Sequence, residues 1–287
     1  MPNWTEGFIT TNNLKIHYYR TGGDMAVVIL NHGAGDDGLC FTRVAKELQD
    51  KYHLILPDAR GHGKSGTGHG NYSTAARVED LAALIEALHL EQPVVGGHSM
   101  GADTAMSLAA THPSLVRGVF LEDPPIILPG EKFKLPPDQG GGTIQGEEIG
   151  KMMAKYMRMI KLLPSFIGER LARKASPTYP DDEIKPWVAS KKRVSFDFLR
   201  SLASTVMSAT DPLEVIRKIM VPVRLVIGDR EKMSIVSQQT AAEVARQNSL
   251  VRVVHLAGAS HDIRRTRFDG YMPALSEFLE EMYPQGQ

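Results

Sequence analysis

Gly97-His98-Ser99-Met100-Gly101 sets a serine between glycines, directly after the apolar run PVVG and directly before the Ala-rich stretch ADTAMSLAA. A serine on so tight a strand-to-helix turn must take strained backbone angles, and small neighbours let the chain fold that closely. Its hydroxyl then projects at a helix N-terminus, where N–H groups and the helix dipole favour a developing anion. The chemistry this predicts is nucleophilic attack by Ser99. Upstream, Asn31-His32-Gly33-Ala34-Gly35 follows the apolar run AVVIL. Such a loop can bring the Ala34 N–H beside that of Met100, giving two donors for a tetrahedral oxyanion.

A weak base must take the serine proton, and ten histidines compete for that role. His261 lies in Gly258-Ala259-Ser260-His261, after the last strand-like run, VRVVHL. That late position suits the chain order nucleophile, acid, base. His255 falls inside the run and reads as structural. His62 and His69 sit in a glycine-rich loop and are expected to be solvated. His98 flanks the serine, with its side chain expected to face away from the pocket.

The elements that must position these groups alternate between two periods. Residues 7–11 and 14–19 are β-prone runs around Asn12-Asn13, a hairpin signal. The continuous apolar run at 26–30 suits a strand buried on both faces of a parallel sheet, and 53–56, 93–96, 116–121, 221–227 and 251–256 read as further strands. Helical patterns separate them near 38–50, from a Ser73 or Thr74 cap through Leu88, at 100–111, 236–247 and 268–282. Strand–helix alternation at this spacing predicts α/β architecture with a mostly parallel sheet of about eight strands. Residues 126–212 break the rhythm: a Pro/Gly-rich stretch leads into four helix-favouring runs with no strand signal. They read as a helical insertion over one end of a core formed by 1–125 and 213–287. Met152, Met153, Met157 and Met159 recur there at near-helical spacing; as packing residues on the underside they would suit an apolar acyl or ring substrate.

In this order NHGAG, PDARGHGKSG, GGHSMG and GASH resemble the α/β-hydrolase superfamily, over residues 1–125 and 213–287. The inserted helices are similar to that family's variable cap. The resemblance implies a serine hydrolase acting on a carboxylic ester or lactone through a Ser–His–acid triad and an acyl-enzyme, with Ala34 and Met100 as the oxyanion hole. It implies no cofactor and no metal ion. Most members carry the acid in the loop after the strand VPVRLVIG, which offers Asp229 and Glu231. A minority, including haloalkane dehalogenases and zearalenone-lactone hydrolases, carry it after the strand following the nucleophile helix, where this chain has Asp123. An Asp before two prolines is locally rigid, which suits a residue that orients an imidazole. Asp123 is the favoured acid, with Asp229 or Glu231 as alternatives. The same triad also serves C–C bond hydrolysis, perhydrolysis or acyl transfer, and some hydrolase-fold proteins are ligand receptors. A dehalogenase is disfavoured, because that chemistry needs a carboxylate where this chain has Ser99.

Other readings are weaker. Gly61-His62-Gly63-Lys64-Ser65-Gly66 matches a dinucleotide fingerprint, yet it follows a second strand and runs on into more loop. Gly63-Lys64-Ser65 mimics a P-loop end, but Asp58 stands where the earlier glycine is required. The 287 residues carry 33 basic and 33 acidic side chains, which argues against nucleic acid or an anionic membrane as partner. A single cysteine, Cys40, permits neither an internal disulfide nor a zinc ribbon. The start MPNWTEGFITTNN lacks a signal-peptide pattern, and no 18-residue apolar stretch exists. A cytoplasmic protein with a small apolar ester or lactone as its partner is the expectation.

Overall fold

The computed structural model describes residues 4–11, 13–134, 142–144, 146–204 and 211–284. Strands β1 (Thr5–Thr11) and β2 (Leu14–Arg20) form the expected antiparallel hairpin. Asn13 takes φ 61° in its turn, while Asn12 lies outside the described residues. Then follow β3 (Val27–Asn31), α1 (Thr42–Leu48), β4 (His53–Pro57), α2 (Thr74–Ala87), β5 (Val94–His98), α3 (Met100–Thr111) and β6 (Gly118–Glu122). Ser73 caps α2, its side chain accepting from the Ala76 N–H. Every residue of β4, β5 and β6 is buried, as continuous apolar runs demand.

Between β6 and the late strands lie a ribbon of two short strands, β7 (Phe133–Lys134) and β8 (Thr143–Ile144), and helices α4 (Gly146–Leu162), α5 (Ser165–Ala175), α6 (Asp181–Arg193) and α7 (Phe196–Ser204). The ribbon corrects the expectation of a strand-free segment; two-residue strands are too short to show a period. Part of the Pro/Gly-rich stretch, 135–141, and the end of the fourth helical run, 205–208, lie outside the described residues. The chain ends with α8 (Pro212–Lys218), β9 (Val223–Ile227), α9 (Gln238–Gln247), β10 (Val251–His255), α10 (Ile263–Thr266) and α11 (Phe268–Met282).

The eight-stranded sheet runs β1-β2-β4-β3-β5-β6-β9-β10, parallel from β4 to β10. One apolar core, around Ile29, Val95, Leu121 and Leu225, lies between the sheet and α2, α3 and α9. The other, around Leu30, Phe41, Phe120 and Leu275, lies under α1 and α11. After β3 the chain steps outward to β4 and returns to β5 on the opposite side. The C-terminal ends of β3 and β5 therefore flank the point where the connections diverge, which is where open α/β sheets bind ligands. No helix among the described residues is long and apolar enough to cross a membrane.

Candidate active site

Ser99 sits between β5 and α3 at φ 50° and ψ −114°, a conformation an L-residue holds only when its surroundings enforce it. Its N–H donates to the Glu122 carbonyl at 2.9 Å, and its own carbonyl accepts from Asp103 N–H at 2.9 Å. Two glycines permit the tight approach of the neighbouring chain. A Cβ on Gly101 would lie 2.1 Å from the Asn31 carbonyl oxygen, and one on Gly33 would lie 2.5 Å from His98 Nδ1. The first turn of α3 is thereby pressed against the loop after β3. Met100 and Ala34 accordingly share one apolar cluster with Tyr72, Met157, Phe198 and Leu199.

Asp123 follows β6 with φ 43°, again outside the usual range for an L-residue, and its side chain is fully buried. Its Oδ2 accepts from His261 Nδ1 at 2.6 Å and from Ile235 N–H at 2.7 Å. Its Oδ1 accepts from Ser234 Oγ at 2.8 Å and Val236 N–H at 2.9 Å. A carboxylate only accepts, so Nδ1 of His261 carries the proton and Nε2 keeps its lone pair. The loop after β9, where the alternative acids lie, thus supplies donors to Asp123. Asp229 instead binds His255 Nε2 at 2.8 Å and the Gly258 N–H at 2.7 Å, while Glu231 is exposed. Of the three carboxylates considered from sequence, Asp123 is the one brought to His261.

Burial alone would push the His261 pKa down; the Asp123 hydrogen bond and charge, with Asp262 and Glu122, outweigh it and hold the imidazole above its ordinary 6.5. The protonated ring therefore stabilises the fold below pH 6.5, and that contribution disappears as pH rises through the native pKa. In the role of base that the sequence suggests for it, His261 must be neutral, so activity should move the opposite way. The acid limb of kcat/KM against pH is expected to lie above 6.5, and Asp123→Asn should move it downward; a limb below 6.5 in the wild type would contradict this.

One histidine departs from expectation and another gains a structural role. His98 is buried, its ring lies 4.5 Å from that of His261, and its Nε2 donates to the His261 carbonyl at 3.1 Å. Burial, then the charges of Arg264 and His261, holds it well below 6.5 and neutral. His62 is buried rather than solvated; its Nε2 accepts from Gly35 N–H at 3.0 Å and its ring meets Phe198 edge-on at 4.1 Å. It braces the Ala34 loop, a role that PDARGHG hinted at only through its glycines. His69 is exposed as expected, and His255, on an edge strand, pairs with Asp229. Of the methionines on α4, Met157 is buried and Met153 partly so, whereas Met152 and Met159 face outward.

Asp36, His98 and Asp262 bring three metal-ligand atoms within 4.8 Å of one another. The two carboxylates already accept from Lys191, Arg264 and Arg265, whose positive charges oppose a cation there. The site is an ion-pair cluster in character, not a metal cage.

A parallel-rich sheet with a serine elbow after β5 defines a class, and the comparisons agree with it. The chain belongs to the α/β-hydrolase family: the family model described as alpha/beta hydrolase fold matches residues 26–263. It is 26% identical to 2-(acetamidomethylene)succinate hydrolase of Mesorhizobium japonicum, over 91% of this chain and 90% of that one. It is likewise 26% identical to N-formylmaleamate deformylase of Pseudomonas putida, over 96% of each chain. The crystal structure of the N-formylmaleamic acid deformylase of Pseudomonas putida S16 superposes with a TM-score of 0.78 at 20% identity, covering 94% of this chain and all of that one. The chain is a hydrolase by fold and by relatives.

Proposed function

We propose that the protein cleaves carboxylic esters or lactones through Ser99, His261 and Asp123. The observation that carries this is the fully buried Asp123 carboxylate bonded to His261 Nδ1, beside a strained Ser99 at the start of α3. His261 Nε2 takes the hydroxyl proton as Ser99 Oγ attacks the carbonyl carbon. Asp123 holds the tautomer and stabilises the imidazolium. The Ala34 and Met100 N–H groups receive the oxyanion, a role worth roughly 3–4 kcal/mol per donor. His261 then protonates the leaving alkoxide, and water, deprotonated by the same ring, releases the acid from Ser99.

Residues 126–212 act as a cap in this reading. Two apolar clusters meet at Met153: one holds Met100, the neighbour of Ser99 in the chain, with Met157, Phe198 and Leu199, and the other holds Phe133, Ile149 and Ile235. Nearby Lys191, Arg264 and Arg265 are each bonded to carboxylates. Both features support an uncharged apolar substrate. A second reading, a carboxylated amide like those named for the two relatives, is favoured by Arg230. That cation lies over the Phe133 ring at 3.7 Å and donates to the main-chain carbonyl of Ser234 at 3.2 Å.

A panel of p-nitrophenyl esters of graded acyl length, simple lactones and N-formylmaleamate separates the readings. The expected result is kcat/KM at least about 100-fold higher for the ester or lactone than for the amide, since an unmatched carboxylate in an apolar site is costly. The opposite ranking would transfer the assignment to the relatives' chemistry.

A further inference from the structure

Helix α6 and the loop before it send three polar side chains beneath the C-terminal edge of the sheet. Lys191 Nζ donates to Asp36 Oδ1 at 2.6 Å, Glu183 Oε2 accepts from Arg265 at 3.1 Å, and the Tyr179 hydroxyl donates to Asp262 Oδ2. Core groups close the circle. Asp36 Oδ2 accepts from Arg264 at 3.2 Å and Arg265 at 3.1 Å, Arg265 donates to Asp262 at 2.6 Å, and Arg264 donates to Glu122 at 3.2 Å. Lys191, Arg264, Arg265, Asp36 and Glu122 are all buried.

The carboxylates occupy telling places in the chain. Asp36 follows the Gly33-Ala34-Gly35 donor loop, Asp262 follows His261, and Glu122 precedes Asp123. Each therefore abuts one part of the proposed machinery. Lys191 is the cation that α6 adds to this cluster. Charges shielded from water attract strongly and tolerate few geometries, so the cluster fixes the separation of the loops it joins. Moving α6 would expose Lys191, Glu183 and Tyr179 together, whereas α4 and α7 meet the site through Met153, Met157, Phe198 and Leu199, contacts that can slide.

We propose that Lys191 is a positioning residue: through Asp36 it holds the Ala34 donor loop and the His261 loop in register, so the site is competent only with α6 docked. α6 is then the fixed side of the helical layer, and α4 with α7 is the side that yields to substrate. This rests on Ser99 and His261 being the reacting pair, so the test needs one readout independent of turnover.

Lys191→Met leaves Asp36 bonded to both arginines and is expected to fold. Lys191→Met combined with Asp36→Asn removes one charge of each sign. In each variant, amide hydrogen exchange within 33–38 and 261–267 should quicken at least about tenfold, while β5 and β6 stay as slow as in the wild type. With p-nitrophenyl acetate, kcat should fall at least about tenfold while KM changes less than about threefold, because the loss concerns the transition state rather than general binding. Faster exchange confined to α6, or kcat within about twofold of the wild type in the folded single variant, would overturn the proposal. If the wild type itself turns over no ester, the functional reading fails and the exchange result alone decides the role of Lys191.

Discussion

Replacing Ser99 with Ala is expected to lower kcat by about 10⁴-fold or more and to abolish labelling by a fluorophosphonate. The reason lies in what the alanine removes and what it keeps. Ser99 is fixed by the hydrogen bond from its N–H to the Glu122 carbonyl and by the one its carbonyl accepts from Asp103, both main-chain bonds that Ala retains. The backbone at 99 and the donors at Ala34 and Met100 stay in place. Only the oxygen proposed to form the acyl bond is lost. A probe that labels both proteins equally would show that a different nucleophile reacts.

Asp123→Asn should come next in severity, with kcat reduced by about 10³–10⁴-fold, while Asp229→Asn and Glu231→Gln each change it by less than about threefold. An Asn amide turned toward His261 would present N–H where Nδ1–H already points, forcing the imidazole into the tautomer that cannot accept the serine proton. It would also set N–H against the Ile235 N–H that Oδ2 now accepts. Asp229 serves His255 and Gly258 on the rim, so its loss leaves the His261 ring undisturbed. Steady-state kinetics of the three variants, alongside thermal unfolding to exclude misfolding, checks the ranking. A severe Asp229→Asn defect with a mild Asp123→Asn one would place the acid in the later loop.

Much of this arrangement is legible in the sequence because it depends on short range. The elbow at 97–101 is declared by its glycines and by the strand and helix on either side, and the boundaries of α3 and α11 coincide with those read from pattern alone. The sheet follows from short β-prone runs that alternate with helical patterns, although β10 at the edge of the sheet is largely exposed. Asp123 is already favoured among three carboxylates by its place after β6 and its two prolines, and the donors of Ser234, Ile235 and Val236 turned toward it separate it from the other two. The ion cluster under α6 was not legible at all. Lys191 and Asp36 are 155 positions apart, and a lysine in a helix rich in Lys and Arg looks solvated until the fold buries it. His62 is a similar case: a histidine in a glycine-rich loop signals exposure, and only the packing of Phe198 onto the loop removes it from water.

The decisive measurement is a crystal structure of the protein after reaction with an alkyl fluorophosphonate. Phosphorus should be bonded to Ser99 Oγ, its phosphoryl oxygen should accept hydrogen bonds from the Ala34 and Met100 amides, and His261 Nε2 should lie within hydrogen-bonding distance of an adduct oxygen. An adduct on another residue, or one whose phosphoryl oxygen turns away from both amides with His261 out of reach, would mean that serine, imidazole and donors do not meet around one reacting atom.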